Sequence, residues 1–267
     1  MKRKPAVAGA FYSGNAGSLK KYVLSLMPEG TKRRRVIAAM SPHAGLIYSG
    51  GVAGLVYSSI EPPATFLLMG PNHTGRGKAV SMMSEGSWEI PTGTIEIDSA
   101  LASALATHSP IVSEDNEAHM FEHSLEVQLP FIVEAAPGAR IVPVTIMSAS
   151  LEELLGLGKA AASAVKECPY PVTIIASTDM SHFIPDKQAR ELDQHALARA
   201  LDLDPEGLYS TVLEEGITMC GFMPTVAMIS AALELGAEKA ELLRYTTSAE
   251  VSGDHESVVG YAGVIFI

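Results

Sequence analysis

Three histidines stand just beyond three apolar segments of this 267-residue chain. The segment VIAAM leads into Ser-Pro-His43, FLLMG into Pro-Asn-His73, and VTIIAS into Thr-Asp-Met-Ser-His182. Short apolar runs of this kind are typical of buried strands, and parallel α/β sheets bind their ligands beyond the carboxyl ends of the strands. Imidazole is the commonest metal-binding side chain and the usual general base near neutral pH. The pattern therefore predicts that the three histidines converge on one metal or acid–base site.

An aspartate precedes the last of these histidines by three residues. Because of this spacing, Asp179 and His182 can lie on one face of a tight turn or of a first helical turn. A carboxylate in that position fixes the tautomer of the imidazole and raises its basicity. The alternative is that Asp179 caps the start of a helix.

A cysteine lies in the segment ITMCGFMP, in a bend between two predicted helices. The helix that follows Cys220 is expected to lower the pKa of its thiol, which suits a metal ligand or a nucleophile. The alternative is a small, buried, apolar residue. The second cysteine, Cys168, stands in a connecting loop and is expected to be structural.

The segment His119-Met120-Phe121-Glu122-His123 has the pattern H-x-x-E-H. On a helix, this pattern places His119 and His123 one turn apart with Glu122 as a general base, as in one class of zinc peptidases. No third ligand is marked downstream. The alternative is that His123 and Glu126 contact substrate in the mouth of the main site.

The elements that position these residues alternate between strands and helices. Alternating hydrophobicity around Pro91-Thr92-Gly93 predicts a hairpin within 79–98. Predicted strands span 35–40, 65–70, 111–112, 140–147, 172–177, 240–247 and 257–267, and predicted helices span 18–27, 50–60, 99–107, 117–136 (kinked or divided at Pro130), 151–166, 186–203, 205–216 and 221–236. This order predicts one three-layer α/β domain over residues 1–267, with a central mixed, largely parallel sheet.

Composition excludes several classes of protein. A net charge of −11 argues against nucleic acid as the main partner. The basic run 32–35 is expected to be a solvated edge. Two cysteines provide no disulfide framework, so a cytoplasmic location is expected. No apolar run reaches the length of a membrane span, and none fits a signal peptide, so no membrane association is expected.

Six motifs, taken together and in order, resemble the Memo family. They are AGAFYSG at 8–14, SPHAG at 41–45, GPNH at 70–73, EHSLEVQLPF at 122–131, STDMSH at 177–182 and CGFMP at 220–224. The resemblance spans nearly the whole chain. It implies a fold similar to the class III extradiol ring-cleaving dioxygenases (LigB-like), an α/β domain with its site at the C-terminal edge of the sheet.

The resemblance also implies a set of site residues. His43, His73 and Cys220 match the three metal-coordinating positions of the family, Asp179 and His182 match positions that line the same pocket, and His123 matches the histidine of the EHS motif. Family members are associated with iron and with copper. The dioxygenases instead use two histidines and a carboxylate on Fe(II), and a thiolate shifts metal preference toward Cu(I), iron or zinc. Ring cleavage therefore does not follow from the fold.

The expected function is that of a metal-binding protein and, if it is an enzyme, of an oxidoreductase that uses iron(II) or copper, with zinc as a further option. Its substrate would be O2 or a small molecule, with His182 moving a proton and Asp179 orienting His182. Glu122, His123 and Phe11 are the expected pocket residues. A rival hypothesis is a vestigial pocket that binds a peptide or a partner protein. The eukaryotic member of the family has tryptophan at the position of Phe11, in a pocket implicated in binding phosphotyrosine peptides, so the loss of that tryptophan argues against peptide binding by this chain. A third hypothesis is a zinc hydrolase built on His119, Glu122 and His123.

Overall fold

Strands and helices alternate along most of the computed structural model, which describes residues 1–267. Strands β1 to β12 span Lys2–Arg3, Ala38–Ser41, Thr65–Pro71, Val80–Met82, Ser87–Ile90, Gly93–Glu96, Ser113–Glu114, Arg140–Ile146, Val172–Ser177, His182–Ile184, Ala240–Thr247 and Val258–Phe266. Helices α1 to α9 span Ala16–Leu26, Leu46–Ser59, Ser99–His108, Leu129–Ala135, Leu151–Glu167, Asp186–Leu201, Pro205–Glu214, Phe222–Glu234 and Ala249–Ser252. None of the helices is both long and apolar enough to cross a lipid bilayer.

A nine-stranded mixed sheet forms the centre of the molecule. Its order is β10-β12-β2-β9-β3-β8-β4-β7, and β11 pairs with β12. The four middle strands, β2, β9, β3 and β8, are parallel, whereas β12 and β4 join them in antiparallel fashion. Strands β2, β3 and β9 are buried almost throughout, which explains why they appear as continuous apolar runs in the sequence. The predicted α/β fold with a mixed, largely parallel sheet is confirmed.

Helices cover both faces of this sheet and give it two separate cores. Side chains alternate across a strand, so Leu67 and Met69 of β3 belong to one core, and Phe66 and Leu68 belong to the other. The first core includes α3, α5, α6, α7 and α8, and the second includes α1, α2 and α4. The result is the three-layer arrangement that the order of elements predicts.

The predicted hairpin is present, and it belongs to a second, three-stranded sheet. Strands β5 and β6 pair in antiparallel fashion around residues 91–92. Strand β1 pairs with β5 in parallel and so fixes the N-terminal segment to the hairpin. The side chain of Trp88 in β5 is completely buried, and this sheet contributes to the second core.

The predicted long helix over 117–136 is wrong. The structure instead has two single 3-10 turns, Glu117–His119 and Glu126–Gln128, before α4, and Pro130 stands in the first turn of α4 rather than at a kink. The carboxylate of Glu122 accepts the backbone N–H groups of His123 and Ser124, which a continuous helix would direct at carbonyls four residues earlier. These side-chain hydrogen bonds favour a loop over a helix in this segment.

Helix α2 packs closely against the C-terminal end of α1, and one glycine permits this contact. A Cβ atom at Gly54 would overlap the carbonyl oxygen of Leu26. We therefore expect Gly54→Ala to lower the free energy of unfolding by about 1–3 kcal/mol, because the backbones must separate. Denaturant unfolding would measure this change.

A second helical glycine provides the control. Nothing lies within 4 Å of a Cβ atom built at Gly156 of α5, so Gly156→Ala is expected to stabilise the protein by up to about 1 kcal/mol through helix propensity. A stabilisation of the same size in Gly54→Ala would contradict the close helix contact.

Candidate metal centre

The carboxyl ends of three neighbouring strands meet at one edge of the sheet. Strand β9 lies between β2 and β3, so the segments that leave these strands adjoin one another. They deliver His43 after β2, His73 after β3 and Asp179 after β9. A third histidine, His123, enters from the loop that precedes the Glu126–Gln128 turn. One ring nitrogen from each of His43, His73 and His123 lies within 4.8 Å of the others.

His43 is the buried member of this cluster. Its backbone N–H donates to Asp179 Oδ1 at 2.8 Å, its Nδ1 lies 2.9 Å from Ser177 Oγ, and its Nε2 faces Cys220 Sγ at 3.4 Å. Burial, followed by the charges of His123 and other neighbouring histidines, lowers the pKa of His43 well below its ordinary value. The imidazole is therefore neutral at pH 7, which is the form that binds metals.

Glu122 holds the other two histidines from behind. Its Oε1 lies 2.9 Å from His73 Nδ1 and 3.4 Å from His123 Nδ1, and its Oε2 accepts the backbone N–H of His73. Burial alone would raise the pKa of Glu122, but the hydrogen bond and the charge of His73 and the N–H of Ser124 hold it at about 2. An ionised carboxylate only accepts hydrogen bonds, so His73 donates to it from Nδ1, and its Nε2 faces away from Glu122.

His123 stacks on its neighbours within the cluster. Its ring centroid lies 4.5 Å from that of His73 and 4.7 Å from that of Phe11. Burial, together with the positive charge of His73, lowers the pKa of His123, although the Glu122 carboxylate opposes the shift. Three imidazoles with close ring nitrogens, two of them held by a buried carboxylate, are a donor set that fits a metal ion.

Cys220 lies beside this cluster and contacts only its buried member. Two ligand atoms about 2.1 and 2.3 Å from a tetrahedral metal lie about 3.6 Å apart, close to the 3.4 Å between Cys220 Sγ and His43 Nε2. Gly221 allows the backbone next to Cys220 to approach the end of β9, because a Cβ atom at Gly221 would overlap Ser177 and Thr178. Burial and the charge of Asp179 raise the pKa of the Cys220 thiol, the opposite of the direction expected from the helix that follows.

The structure places Asp179 and His182 near each other without a hydrogen bond between them. Asp179 Oδ1 accepts the N–H groups of His43 and Ala44, so it fixes the segment after β2 and caps no helix. Burial, opposed by these hydrogen bonds, raises the pKa of Asp179 to about 6. His182 is held by Thr218, whose carbonyl lies 2.9 Å from His182 Nδ1. The partner of His182 is therefore Thr218, from the bend before Cys220.

A pocket of about 410 Å³ opens beside the cluster. Its walls are aromatic and polar, and they include Phe11, Tyr48, His123, Asp179, His182, Phe183 and Tyr261. Two of the three predicted pocket residues, Phe11 and His123, line it, whereas Glu122 lies behind the histidines.

The H-x-x-E-H segment does not form the helix that a zinc hydrolase requires. His119 belongs to a 3-10 turn, its ring lies edge-on to Trp88 with centroids 5.7 Å apart, and both of its ring nitrogens are buried without a partner. His123 joins His43 and His73 instead. Glu126 is also absent from the pocket mouth, because it is fully buried against Arg3 at 2.6 Å.

Three residues that support the site were not predicted from the sequence. Gln128 donates to Ser177, whose Oγ lies 2.9 Å from His43 Nδ1, and Arg3 donates to Glu126 and to the carbonyl of Glu122. The first pair stands within the motifs STDMSH and EHSLEVQLPF, which is the one sequence signal that could have marked it. Arg3 lies in a short basic run near the N-terminus, a context that gives no sign of burial.

Known proteins are similar to this chain in sequence or in fold. The model of the family described as Memo-like protein matches residues 3–265. A MEMO1 family protein of Methanothermobacter thermautotrophicus is 42% identical, with 98% of this chain and 99% of the relative covered. One from Aquifex aeolicus is 39% identical, with 99% of each chain covered. The crystal structure of an uncharacterized protein from Escherichia coli K12 superposes with a TM-score of 0.62 at 16% identity, over 86% of this chain and 100% of that one, and so supports the fold. The chain belongs to the Memo-like protein family.

Proposed function

We propose that this edge of the sheet is an iron(II) or copper centre with His43, His73 and Cys220 as ligands, and that the protein is a metal-dependent oxidoreductase. One observation carries the proposal: the ring nitrogens of His43, His73 and His123 lie within 4.8 Å of one another, with the Cys220 sulfur 3.4 Å from His43 Nε2. His123 is then a pocket residue that faces the substrate.

The chemistry of the donors supports this choice of metals. Imidazole suits iron, copper and zinc, and a thiolate adds preference for Cu(I), iron or zinc over magnesium or calcium. The nearby carboxylates are occupied, because Glu122 and Asp179 accept backbone N–H groups. The set therefore differs from the two-histidine, one-carboxylate triad of Fe(II) oxygenases.

The surrounding residues have distinct parts in the proposed reaction. A bound iron or copper ion would supply Lewis acidity and one-electron redox chemistry. His182 moves a proton at Nε2, because its Nδ1 is engaged by the carbonyl of Thr218. Asp179 orients the His43–Ala44 backbone. The aromatic walls at Phe11 and Tyr261 exclude water from the substrate.

A second candidate function is the binding of a peptide or a partner protein without turnover. It is favoured by exposed apolar side chains at the pocket mouth, where Phe183 is 76% and Tyr48 is 42% exposed. Under this hypothesis a partner binds equally well with and without a chelator. The metal hypothesis predicts instead that the chelator removes the function.

Anaerobic reconstitution with Fe(II), Cu(I) and Zn(II), followed by X-ray absorption spectroscopy, tests the proposed centre. The expected result is one equivalent of metal with a sulfur ligand at about 2.3 Å. That sulfur signal should disappear in Cys220→Ser and persist in His123→Ala, because only Cys220 supplies sulfur.

Two outcomes would contradict the proposal. A wild-type spectrum with nitrogen ligands alone would show that Cys220 is not a ligand and would favour His123 as the third ligand. Binding of zinc with no retention of iron or copper would contradict the oxidoreductase, because zinc has no redox chemistry.

A further inference from the structure

Ser177 lies at the end of β9, fully buried, with three polar neighbours around one hydroxyl. Its Oγ lies 2.6 Å from the carbonyl oxygen of Ser124, 2.8 Å from Gln128 Nε2 and 2.9 Å from His43 Nδ1. A hydroxyl has one proton to donate. Only one of these three neighbours can therefore accept a hydrogen bond from Ser177.

The carbonyl oxygen of Ser124 accepts the one hydrogen bond that the Ser177 hydroxyl can donate. Two oxygen atoms 2.6 Å apart need a proton between them, and a carbonyl can only accept. Toward its other neighbours, the Ser177 oxygen therefore acts as an acceptor.

Gln128 is fixed in the same way. Its Nε2 lies 3.0 Å from the carbonyl oxygen of Pro42, which only accepts, so the amide nitrogen must face Pro42 and Ser177. The amide oxygen then faces Tyr57, whose hydroxyl donates to it at 3.0 Å. The carbonyl oxygens of Ser124 and Pro42, which can only accept, thus fix which atom donates in each hydrogen bond of this buried network.

His43 is left with one arrangement. Because Ser177 accepts toward it, His43 carries its proton on Nδ1, and the lone pair is on Nε2, which faces Cys220. This partner is neutral, whereas the corresponding partner of His73 is the carboxylate of Glu122. The network therefore selects a tautomer of His43 without adding negative charge beside it.

We propose that Ser177, backed by Gln128 and Tyr57, is a positioning residue that sets the tautomer of His43. It keeps the Nε2 lone pair directed at the place where the metal is proposed to bind. The role in metal binding rests on the proposed function, whereas the tautomer is a property of the metal-free protein.

Nitrogen-15 NMR of the metal-free protein tests the tautomer directly. Long-range proton–nitrogen correlations distinguish a protonated from an unprotonated imidazole nitrogen, and loss of signals in His43→Ala assigns His43. The expected result is a protonated Nδ1 and an unprotonated Nε2 in the wild type. In Ser177→Ala, which lacks the acceptor, the tautomer protonated on Nε2 should appear.

Ser41 provides a matched control on the adjacent strand. It is the register partner of Ser177, and its buried hydroxyl has no hydrogen-bond partner. Ser41→Ala should therefore keep the wild-type tautomer. Iron or copper affinity should fall by about 10- to 100-fold in Ser177→Ala, as is typical when the partner of a ligating histidine is lost, and should be unchanged in Ser41→Ala.

The outcomes separate this proposal from the proposed function. A wild-type His43 protonated on Nε2 would contradict the proposed role of Ser177, and so would an unchanged tautomer in Ser177→Ala. If the wild type shows the expected tautomer and Ser177→Ala changes it, but the protein binds no iron or copper, the role of Ser177 is supported and the metal centre is contradicted.

Discussion

Replacing His43 by alanine is expected to weaken iron(II) or copper binding by more than about 100-fold, since loss of a ligand should exceed the effect of losing a ligand's hydrogen-bond partner. His43 belongs both to the cluster of three imidazoles and to the pair formed with Cys220. Its removal therefore disrupts either set of three ligands. Anaerobic competition with a coloured chelator would measure the affinity.

The control for this experiment is a histidine outside the site. The side chain of His195 is 51% exposed and pairs with Glu215 on the surface. His195→Ala should keep the wild-type fold and bind metal with wild-type affinity. A His43→Ala protein with wild-type affinity would show that the metal, if bound, lies elsewhere.

The parts of the fold that the sequence predicts well are those with a local physical signature. Strands β9 and β11 have the predicted bounds, 172–177 and 240–247. In β2, β3 and β9 a short apolar run marks the strand, and its abrupt end marks the loop that leaves the sheet. Since parallel strands end at one edge, the approach of His43 to His73 follows from the sequence alone.

The third histidine shows where this reasoning ends. His182 has the same strand-end signature as His43 and His73, but the chain turns after Asp179 and starts β10, where Thr218 holds the imidazole. His123 takes the place in the cluster from a segment with helical periodicity. That segment stays a loop because Glu122 accepts its N–H groups, a contact that periodicity does not reveal.

The position of Glu122 depends in turn on a residue near the N-terminus. The guanidinium of Arg3 donates through Nε to the carbonyl of His119 and through Nη2 to the carbonyl of Glu122, both at 2.7 Å. These bonds hold both ends of the loop 119–122. No local pattern in Lys2-Arg3-Lys4 predicts this, because the partners lie more than 100 residues away.

Arg3→Met is therefore expected to lower the free energy of unfolding by about 3–5 kcal/mol, the usual effect of breaking a buried ion pair. The side chains of Arg3 and Glu126 are both 0% exposed and lie 2.6 Å apart, and the guanidinium also lies 4.1 Å from the ring centroid of Trp88. Methionine fills much of the same volume but leaves the Glu126 carboxylate and two carbonyls buried without this donor. Denaturant unfolding would measure the difference.

A lysine on the same strand and a double-mutant cycle show whether the buried pair is responsible. The side chain of Lys2 is 58% exposed and pairs with Glu89, so Lys2→Met should change stability by less than about 1 kcal/mol. Glu126→Gln should destabilise the wild type, because it leaves the charge of Arg3 unpaired, and should cost much less in the Arg3→Met background. Additive effects of the two substitutions would contradict the pair. Since Arg3 also holds the loop of Glu122, the Arg3→Met protein should bind iron or copper more weakly even where it remains folded.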